Sequence, residues 1–274
     1  MVIDFHIHVG SYSPQYPWVM EWASREVPGG DAHEYLAKYM SPEGMAGLLR
    51  EHGVDYGVIL AEANPLATGG VNNEDVAALC AGQPGLIAWG VINPFLVNDL
   101  PAELDRLLDD LNMRGVGLYP GYQHFYPNDA RLYPLYAHAE RRGVPVMFHT
   151  GSSIFRGTRL KYANPLLLDD VAADFPNLPI IMAHSGRGIW YDEAFLVARL
   201  HERVYMEVSG LPPHKLLEYF PQLERIAHRT LFGSDWPGVI GISRNIEAVR
   251  ALPIGERAKS AILGGAAAAL LGLA

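Results

Sequence analysis

The chain alternates short apolar runs with helical segments eight times, and this alternation limits the possible folds more than any other feature. The runs are rich in Val, Ile and Leu, a composition typical of parallel strands that are buried on both faces. They cover residues 1–7, 54–61, 86–92, 115–119, 144–149, 179–183, 204–208 and 230–233. The sequence therefore predicts an α/β protein in which eight parallel strands are joined by helices.

Eight strand–helix units in 274 residues predict one (β/α)₈ TIM barrel that spans residues 1–274. A doubly wound open sheet is the competing topology, but its glycine-rich phosphate loop does not follow the first strand. No change in composition along the chain marks a second domain. A single barrel domain is the prediction.

A long segment, residues 9–40, follows the first strand and is rich in Pro, Gly, Tyr and Trp. This composition predicts a long loop, and loops of that length within a domain are commonly functional. Tyr12, Trp18 and Trp22 are candidates for a lid over a site, with ordinary packing beneath the loop as the alternative.

Polar residues occupy the ends of four predicted strands, where TIM barrels place their chemistry. His6 and His8 end the first strand, His149 the fifth, His184 the sixth and Asp235 the eighth. Any one of these histidines could be a core residue satisfied by hydrogen bonds. Five such residues at equivalent positions favour one shared site.

Asp4-Phe-His6-Ile-His8 is the strongest local signal. Alternate side chains of a strand share a face, so His6 and His8 are expected to point the same way, towards one metal ion. A surface pair on an edge strand is the alternative. Asp4 lies on the same face, one step deeper, and is expected to support the histidines rather than bind metal.

Three imidazoles and one carboxylate suit Zn²⁺, and also Mn²⁺ or Fe²⁺. Such an ion lowers the pKa of water towards ~7 and polarises a substrate oxygen. His6, His8, His149 and Asp235 are the predicted ligands of one divalent ion, and Asp235 is also positioned to accept a proton from water. His184 is the predicted acid/base residue.

These motifs carry a family resemblance. Residues 4–8, Phe148-His149, Ala183-His184-Ser-Gly and Phe232-Gly-Ser-Asp235-Trp-Pro look like the amidohydrolase superfamily. They most resemble its amidohydrolase-2 branch, to which aminocarboxymuconate-semialdehyde decarboxylase belongs. Residues 262–272 are similar to that branch's ending, although Ala266 replaces the asparagine that usually follows the glycines.

The resemblance implies a (β/α)₈ barrel with a mononuclear metal centre. By position, His6, His8 and His149 match the metal histidines, Asp235 matches the strand-eight aspartate, and His184 matches the histidine that assists catalysis. Binuclear relatives carry a bridging carboxylated lysine on strand four. Here residues 114–120 contain no lysine, which favours one metal.

The resemblance leaves two reactions open. A metal-dependent hydrolase of a small acidic or cyclic ester, lactone or amide is the first prediction. A non-oxidative decarboxylase of an unsaturated or aromatic acid is the alternative, and a barrel that binds metal or ligand without catalysis ranks third.

Several residues near the strand ends are candidates for substrate contacts. Arg156, Arg159 and Arg187 could bind a substrate carboxylate bidentately, or they could be solvated loop charges. Tyr119 and Trp236 end the fourth and eighth strands and are expected to line the pocket. Lesser candidates for polar or aromatic contacts are Glu62, Tyr122, His124 and Tyr126.

Charge and cysteine content narrow the partners. The net charge is −9 and there are only four lysines, which argues against a nucleic-acid partner. Cys80 is the sole cysteine, and neither a signal peptide nor an apolar stretch long enough for a membrane span is recognisable. We expect a cytoplasmic protein with a small-molecule substrate and no membrane partner; exposed barrel helices would allow a homodimer.

Overall fold

The computed structural model describes residues 1–9 and 17–273, and its eight parallel strands form a nearly closed barrel. The predicted single-domain TIM barrel is confirmed. In order around the barrel, the strands are β1 (Ile3–His8), β2 (Tyr56–Leu60), β5 (Leu86–Val91), β6 (Val116–Leu118), β7 (Val146–Gly151), β8 (Ile180–Arg187), β9 (Val204–Glu207) and β10 (Thr230–Leu231). A short antiparallel hairpin, β3 (Glu62–Asn64) and β4 (Gly69–Val71), follows β2.

The barrel closes between its first strand and the segment that follows its last. Phe5 N donates to Phe232 O at 2.9 Å, and Asp235 N donates to His6 O at 3.0 Å. His8 N donates to Trp236 O at 2.8 Å. This seam joins β1 to the segment that follows β10, beside His6 and His8.

Helices pack around the outside of the barrel. The α-helices are α1 (Pro17–Glu26), α2 (Ala32–Ala37), α3 (Pro42–Glu51), α4 (Asn73–Cys80), α5 (Leu100–Asp105), α6 (Pro120–Gln123), α7 (Tyr133–Arg142), α8 (Leu167–Asp174), α9 (Tyr191–Leu200), α10 (Leu216–Tyr219), α11 (Ile242–Arg250), α12 (Glu256–Ser260) and α13 (Ala266–Leu271). Two π-helical segments cover Arg106–Asp110 and Ala261–Gly265. Short 3₁₀ segments are Ala130–Leu132, Leu160–Tyr162, Pro213–Lys215 and Leu223–Arg229. Among the described residues, no helix is long and apolar enough to cross a membrane.

The expectation of one long loop over residues 9–40 is wrong, because α1 and α2 lie within it. Helix α1 buries Val19 and Ala23, which are four residues apart and share a helical face. Asp31 caps α2 by accepting a hydrogen bond from Glu34 N at 3.0 Å. The many aromatic residues and the flanking Pro and Gly concealed these two short helices. Tyr12, one of the three lid candidates, lies outside the described residues.

The buried residues form an inner and an outer cluster. The inner cluster takes alternate residues from most of the barrel strands, such as Ile3, Phe5 and Trp89, which can meet only inside the barrel. Ala266, Ala267 and Leu271 of α13 pack against it. Outward-facing residues of the same strands pack against the surrounding helices.

A register shift in β1 directs the histidines into the barrel. Phe5 belongs to the inner cluster but Ile7 to the outer one, and the pairing with β2 shifts between Asp4 and Ile7. A bulge of this kind interrupts strict alternation and re-aims the side chains that follow it. His6 and His8 therefore face the cavity at the mouth of the barrel.

Candidate metal centre

Three potential ligand atoms from β1 and the loop after β10 converge at the mouth of the barrel. The Nε2 atoms of His6 and His8 lie 3.1 Å apart. Asp235 Oδ1 lies 3.7 Å from the first and 3.4 Å from the second. One carboxylate oxygen and two imidazole nitrogens thus face a common point.

The other ring nitrogen of each histidine faces a carboxylate. His6 Nδ1 lies 3.2 Å from Glu207 Oε2, and His8 Nδ1 lies 2.9 Å from Glu62 Oε1. Carboxylates accept hydrogen bonds, so the proton of a neutral His6 belongs on Nδ1, whereas the contact between His8 and Glu62 is an ion pair without hydrogen-bond geometry. The two Nε2 atoms face each other and Asp235.

Glu62 is held in place by the β3–β4 hairpin. Thr68 Oγ1 and Asn64 Nδ2 donate to its Oε2 at 2.8 and 3.2 Å. Burial alone would raise the pKa of Glu62, but His8 and these hydrogen bonds lower it. Burial would also lower the pKa of His8, yet Glu62 and Asp235 raise it to about 10. Glu62, a lesser candidate in the sequence, therefore orients a predicted ligand.

His149 lies in β7, two residues after Met147, and is buried. Its ring lies 4.7 Å from the rings of both His184 and Tyr122. Burial and the nearby charge of Arg187 hold the pKa of His149 well below its usual value. Its Nε2 is buried and has no hydrogen-bond partner among the described residues. A neutral, unpartnered imidazole nitrogen suits a metal ligand.

His184 is presented by an unusual backbone. It has φ of 61°, Ser185 has φ of 44° and Asp235 has φ of 65°. Left-handed backbone is uncommon for residues other than glycine and clusters at functional sites. His184 Nδ1 lies 3.0 Å from the carbonyl oxygen of Ser209, which can only accept, so the proton is on Nδ1. Burial, with the charge of Arg187, holds the pKa of His184 well below its usual value.

Asp235 links the histidines to Arg187. Its Oδ2 lies 3.3 Å from Arg187 NH1 and 4.0 Å from His184 Nδ1. Burial would raise the pKa of Asp235, but its contacts with His184, His8, His6 and Arg187 together hold that pKa well below its usual range. Asp235 is therefore ionised at neutral pH.

The donor set fits a divalent cation. Two histidines are placed to be a third ligand beside His6 and Asp235. His8 Nε2 lies 3.4 Å from Asp235 Oδ1, and one ligand atom each of His6, His184 and Asp235 lie within 4.8 Å of one another. A cation here would be bound by the facing Nε2 atoms of His6 and His8 and by the ionised Asp235. It would also give the buried His149 Nε2 a partner.

A cavity of about 320 Å³ opens beside these residues, a volume suited to a small molecule. Its wall is formed in part by the aromatic residues Trp22, Tyr119, Tyr122 and Phe155. The guanidinium of Arg187 also lines it, fixed by hydrogen bonds from Nε and NH2 to Ser152 O at 3.3 and 3.1 Å. Tyr119 and Arg187, two of the predicted substrate contacts, thus line the cavity.

The structure does not bring two other predicted substrate contacts to the cavity wall. Arg156 is exposed, and its guanidinium lies 5.9 Å from the Trp18 ring. Trp236 is fully buried and packs against Tyr35 and Tyr39 of the α2 region. Asp235 has left-handed backbone, with φ of 65°, and at this turn the Asp235 side chain enters the cavity while Trp236 packs away from it.

The lesser candidates divide in the same way. Tyr122 lines the cavity, and its hydroxyl donates to Ser153 Oγ at 2.8 Å. His124 Nε2 lies 2.6 Å from Gly157 O, and Tyr126 packs on Tyr162, so both tie loops together outside the cavity. Arg159 is exposed.

Glu207 is the site residue that the sequence analysis missed. It is fully buried at the end of β9, within hydrogen-bond distance of His6. The rule that selected the histidines from the C-terminal ends of strands applies equally to Glu207, the last residue of β9. Asp4 is also fully buried, and its Oδ1 accepts from Ser234 N at 2.8 Å and His6 N at 3.2 Å, so it braces the seam behind the histidines.

The comparisons with known proteins give a family and a set of similar structures. The family model described as Amidohydrolase matches residues 3–273. No curated protein matches the chain at the significance required. An uncharacterized TIM-barrel protein from Bordetella bronchiseptica is 28% identical, with a TM-score of 0.81, over 99% of this chain and 98% of that one.

Two more distant structures share the fold. A dihydroxybenzoic acid decarboxylase from Polaromonas, with bound manganese and the inhibitor 2-nitroresorcinol, is 19% identical, with a TM-score of 0.74, over 99% of this chain and 97% of that one. A probable 2-pyrone-4,6-dicarboxylic acid hydrolase from Acinetobacter baumannii, with citric acid bound, is 20% identical, with a TM-score of 0.69, over 99% of each chain.

Proposed function

Because the chain belongs to the amidohydrolase family, in its amidohydrolase-2 branch, we propose that it is a metal-dependent hydrolase of a small acidic or cyclic ester, lactone or amide. The observation that carries the proposal is the convergence of the His6 and His8 Nε2 atoms on the ionised Asp235. That arrangement beside an aromatic cavity suits hydrolytic chemistry on a small molecule.

His6, His8, His149 and Asp235 would hold one divalent ion, most suitably Zn²⁺, with Mn²⁺ or Fe²⁺ as alternatives. His149 is the preferred third histidine because its Nε2 has no partner among the described residues, whereas His184 Nδ1 contacts Ser209. The ion would supply Lewis acidity, which activates water and polarises the scissile carbonyl.

The protein's own groups handle the protons. Asp235 Oδ2 is directed away from the histidine pair, towards Arg187 and His184, and is positioned to accept a proton from the attacking water. His184 is neutral with its proton on Nδ1, so its Nε2 lone pair is available to take up a proton and return it to the leaving group.

Arg187 orients an acidic substrate. Of its five N–H groups, one on each nitrogen is engaged by Ser152 O or Asp235. Those contacts fix the guanidinium plane at the cavity wall and leave further N–H groups for a carboxylate. Tyr119, Tyr122 and Phe155 offer aromatic surfaces on which a planar ring can pack.

Decarboxylation of an aromatic or unsaturated acid is the second candidate. The pairing of Arg187 with an aromatic wall favours it, because a planar aromatic carboxylate would satisfy both. The solved decarboxylase from Polaromonas has the same fold and is only 19% identical, so the likeness bears on the fold alone.

The two reactions are separated by the fate of solvent oxygen. The protein is stripped with chelator, reloaded with Zn²⁺ or Mn²⁺, and incubated in ¹⁸O-water with a panel of lactones, esters and aromatic acids. The hydrolase incorporates one ¹⁸O into its product carboxylate, whereas carbon dioxide released without such incorporation identifies the decarboxylase. Turnover that is unaffected by chelation would overturn both.

A further inference from the structure

The Glu207 carboxylate contacts both His6, a predicted metal ligand, and His184, the predicted acid/base residue. Its Oε2 lies 3.2 Å from His6 Nδ1 and accepts from His184 N at 3.2 Å. Ser209 N donates to Oε1 at 2.7 Å, and Ser209 Oγ donates to Oε2 at 2.8 Å. A fully buried carboxylate with this many donors is an acceptor with a fixed orientation.

Ser209 connects Glu207 to His184. A serine hydroxyl has a single proton, and in this geometry that proton points to Glu207. Ser209 Oγ and the Ser209 carbonyl oxygen both lie 3.0 Å from His184 Nδ1, and both then act as acceptors. The proton of neutral His184 is therefore held on Nδ1.

We propose that Glu207 is a positioning residue that places the Nδ1 protons of two histidines at once. It acts on His6 directly and on His184 through the hydroxyl of Ser209. Both Nε2 lone pairs are thereby kept free, one for the metal and one for proton transfer. One buried carboxylate thus couples metal affinity to the protonation geometry of the acid/base residue.

Gly233, in the segment after β10, leaves the space that the Glu207 carboxylate occupies. A Cβ added at Gly233 would lie 2.3 Å from Glu207 Oε1 and 2.7 Å from His6 Cβ. Real side chains do not approach so closely, so glycine at this position admits the Glu207 carboxylate to the back of His6.

Glu62 offers a matched control. It contacts His8 Nδ1 at 2.9 Å as Glu207 contacts His6, but its hydrogen bonds lead to Asn64 and Thr68 rather than to His184. Removing the carboxylate of Glu62 should weaken metal binding and leave His184 unchanged.

The test uses Glu207→Gln, Glu62→Gln, Ser209→Ala and the double variant Glu207→Gln/Ser209→Ala in the full chain. Zn²⁺ affinity is measured by competition with a chelating dye, and the tautomers of His6 and His184 by ¹⁵N NMR of the metal-free proteins. Neither readout requires a substrate, so failure of the proposed hydrolase function leaves this test intact.

In Glu207→Gln, the amide NH₂ replaces an acceptor facing His6 Nδ1 and Ser209 Oγ. We expect Zn²⁺ affinity to fall about 10–100-fold, and the freed Ser209 hydroxyl to donate to His184 Nδ1, which populates the Nε2–H form. Ser209→Ala alone should keep the Nδ1–H form through the carbonyl, with Zn²⁺ affinity within about threefold of the wild type. The double variant should restore the Nδ1–H form of His184 without restoring Zn²⁺ affinity.

Two results would overturn the proposal. One is Glu207→Gln with wild-type Zn²⁺ affinity and tautomers, and the other is a double variant whose His184 tautomer matches that of Glu207→Gln. If Glu207→Gln does not fold, as judged by circular dichroism, Glu207→Asp keeps the charge but withdraws it from His6. The same fall in Zn²⁺ affinity is then expected, and its absence counts against the proposal.

Discussion

His6 and His8 present their Nε2 atoms to each other at 3.1 Å, while a carboxylate faces the opposite nitrogen of each ring. Two lone pairs at that separation repel unless a proton or a metal ion lies between them and Asp235. In the metal-free protein, the proton is the one on His8, whose pKa is raised to about 10. Metal binding and proton release at this pair are therefore linked.

We first predict that Zn²⁺ binding at pH 8 releases about one proton from His8. Because the pKa of His8 is raised to about 10, the ring is charged at pH 8 and must lose its proton to bind metal. The apparent Zn²⁺ affinity should rise about tenfold per pH unit up to that pKa and then level off. Calorimetry in buffers of different ionisation enthalpy measures the proton directly; a pH-independent affinity between pH 7 and 9 would contradict the assignment.

Replacing His184 with Asn should lower kcat by about 100-fold or more, as expected for an acid/base residue, while bound metal stays near one ion per chain. The backbone of His184 has φ of 61°, and Asn tolerates that region. Metal content by mass spectrometry and turnover of any substrate found in the panel are the measurements.

His124→Asn is the control for His184→Asn. His124 also has positive φ, 64°, but lies outside the cavity wall, so its activity should match the wild type. Undiminished turnover in His184→Asn would remove the catalytic role from that histidine.

Trp22→Ala should raise KM about tenfold with a smaller change in kcat, because the indole packs edge-on to Phe155 at 5.2 Å on the cavity wall. Gly238→Ala should act similarly, since its Cβ would lie 2.5 Å from the Trp22 ring. Trp18→Phe is the matched control: it lies on the same helix but donates to Ala67 O and is outside the cavity wall. Equal effects of the Trp18 and Trp22 changes would indicate loss of the helix rather than of a substrate contact.

Asp4→Asn should flatten the pH dependence of stability in the metal-free protein. Burial raises the pKa of Asp4 from 3.8 to about 6, so the folded state binds more protons than the unfolded state between these values. The wild type therefore loses up to about 3 kcal/mol of unfolding free energy from this group as pH rises from 4 to 7.

The Asn side-chain oxygen can still accept from Ser234 N and His6 N, so the variant keeps those bonds and lacks the penalty. Urea unfolding of both proteins at pH 4 and pH 7 gives the comparison. A variant that loses as much stability over this range as the wild type would show that Asp4 does not cause the effect.

The barrel could be predicted from the sequence because the length and hydrophobic pattern of each strand and helix are local features of the chain. Buried parallel strands show as continuous apolar runs, and eight of them in one chain leave few topologies. The helices α1 and α2 escaped because they are short and their segment is rich in aromatic, Pro and Gly residues.

The site could be predicted only in part. His6, His8, His149, His184 and Asp235 lie in the C-terminal parts of strands or just after one, and the fold brings these positions together. The prediction that Trp236 lines the pocket was wrong because the side chain of its neighbour Asp235 enters the cavity instead. The prediction for Arg156 was wrong because hydrophobic periodicity does not determine the path of a loop. Glu207 was missed although it ends a strand, because a single glutamate does not resemble a ligand until its contact with His6 is seen.

The seam between the first strand and the segment after the last one has a consequence for the order in which the protein is made. Along the chain, Gly233 and Asp235 emerge from the ribosome more than two hundred residues after His6 and His8. A nascent chain that still lacks this last segment has histidines but no carboxylate between them. If these residues hold a metal ion as proposed, its capture by the full ligand set would be a late event in biosynthesis, and a loaded site would mark a chain whose barrel has closed.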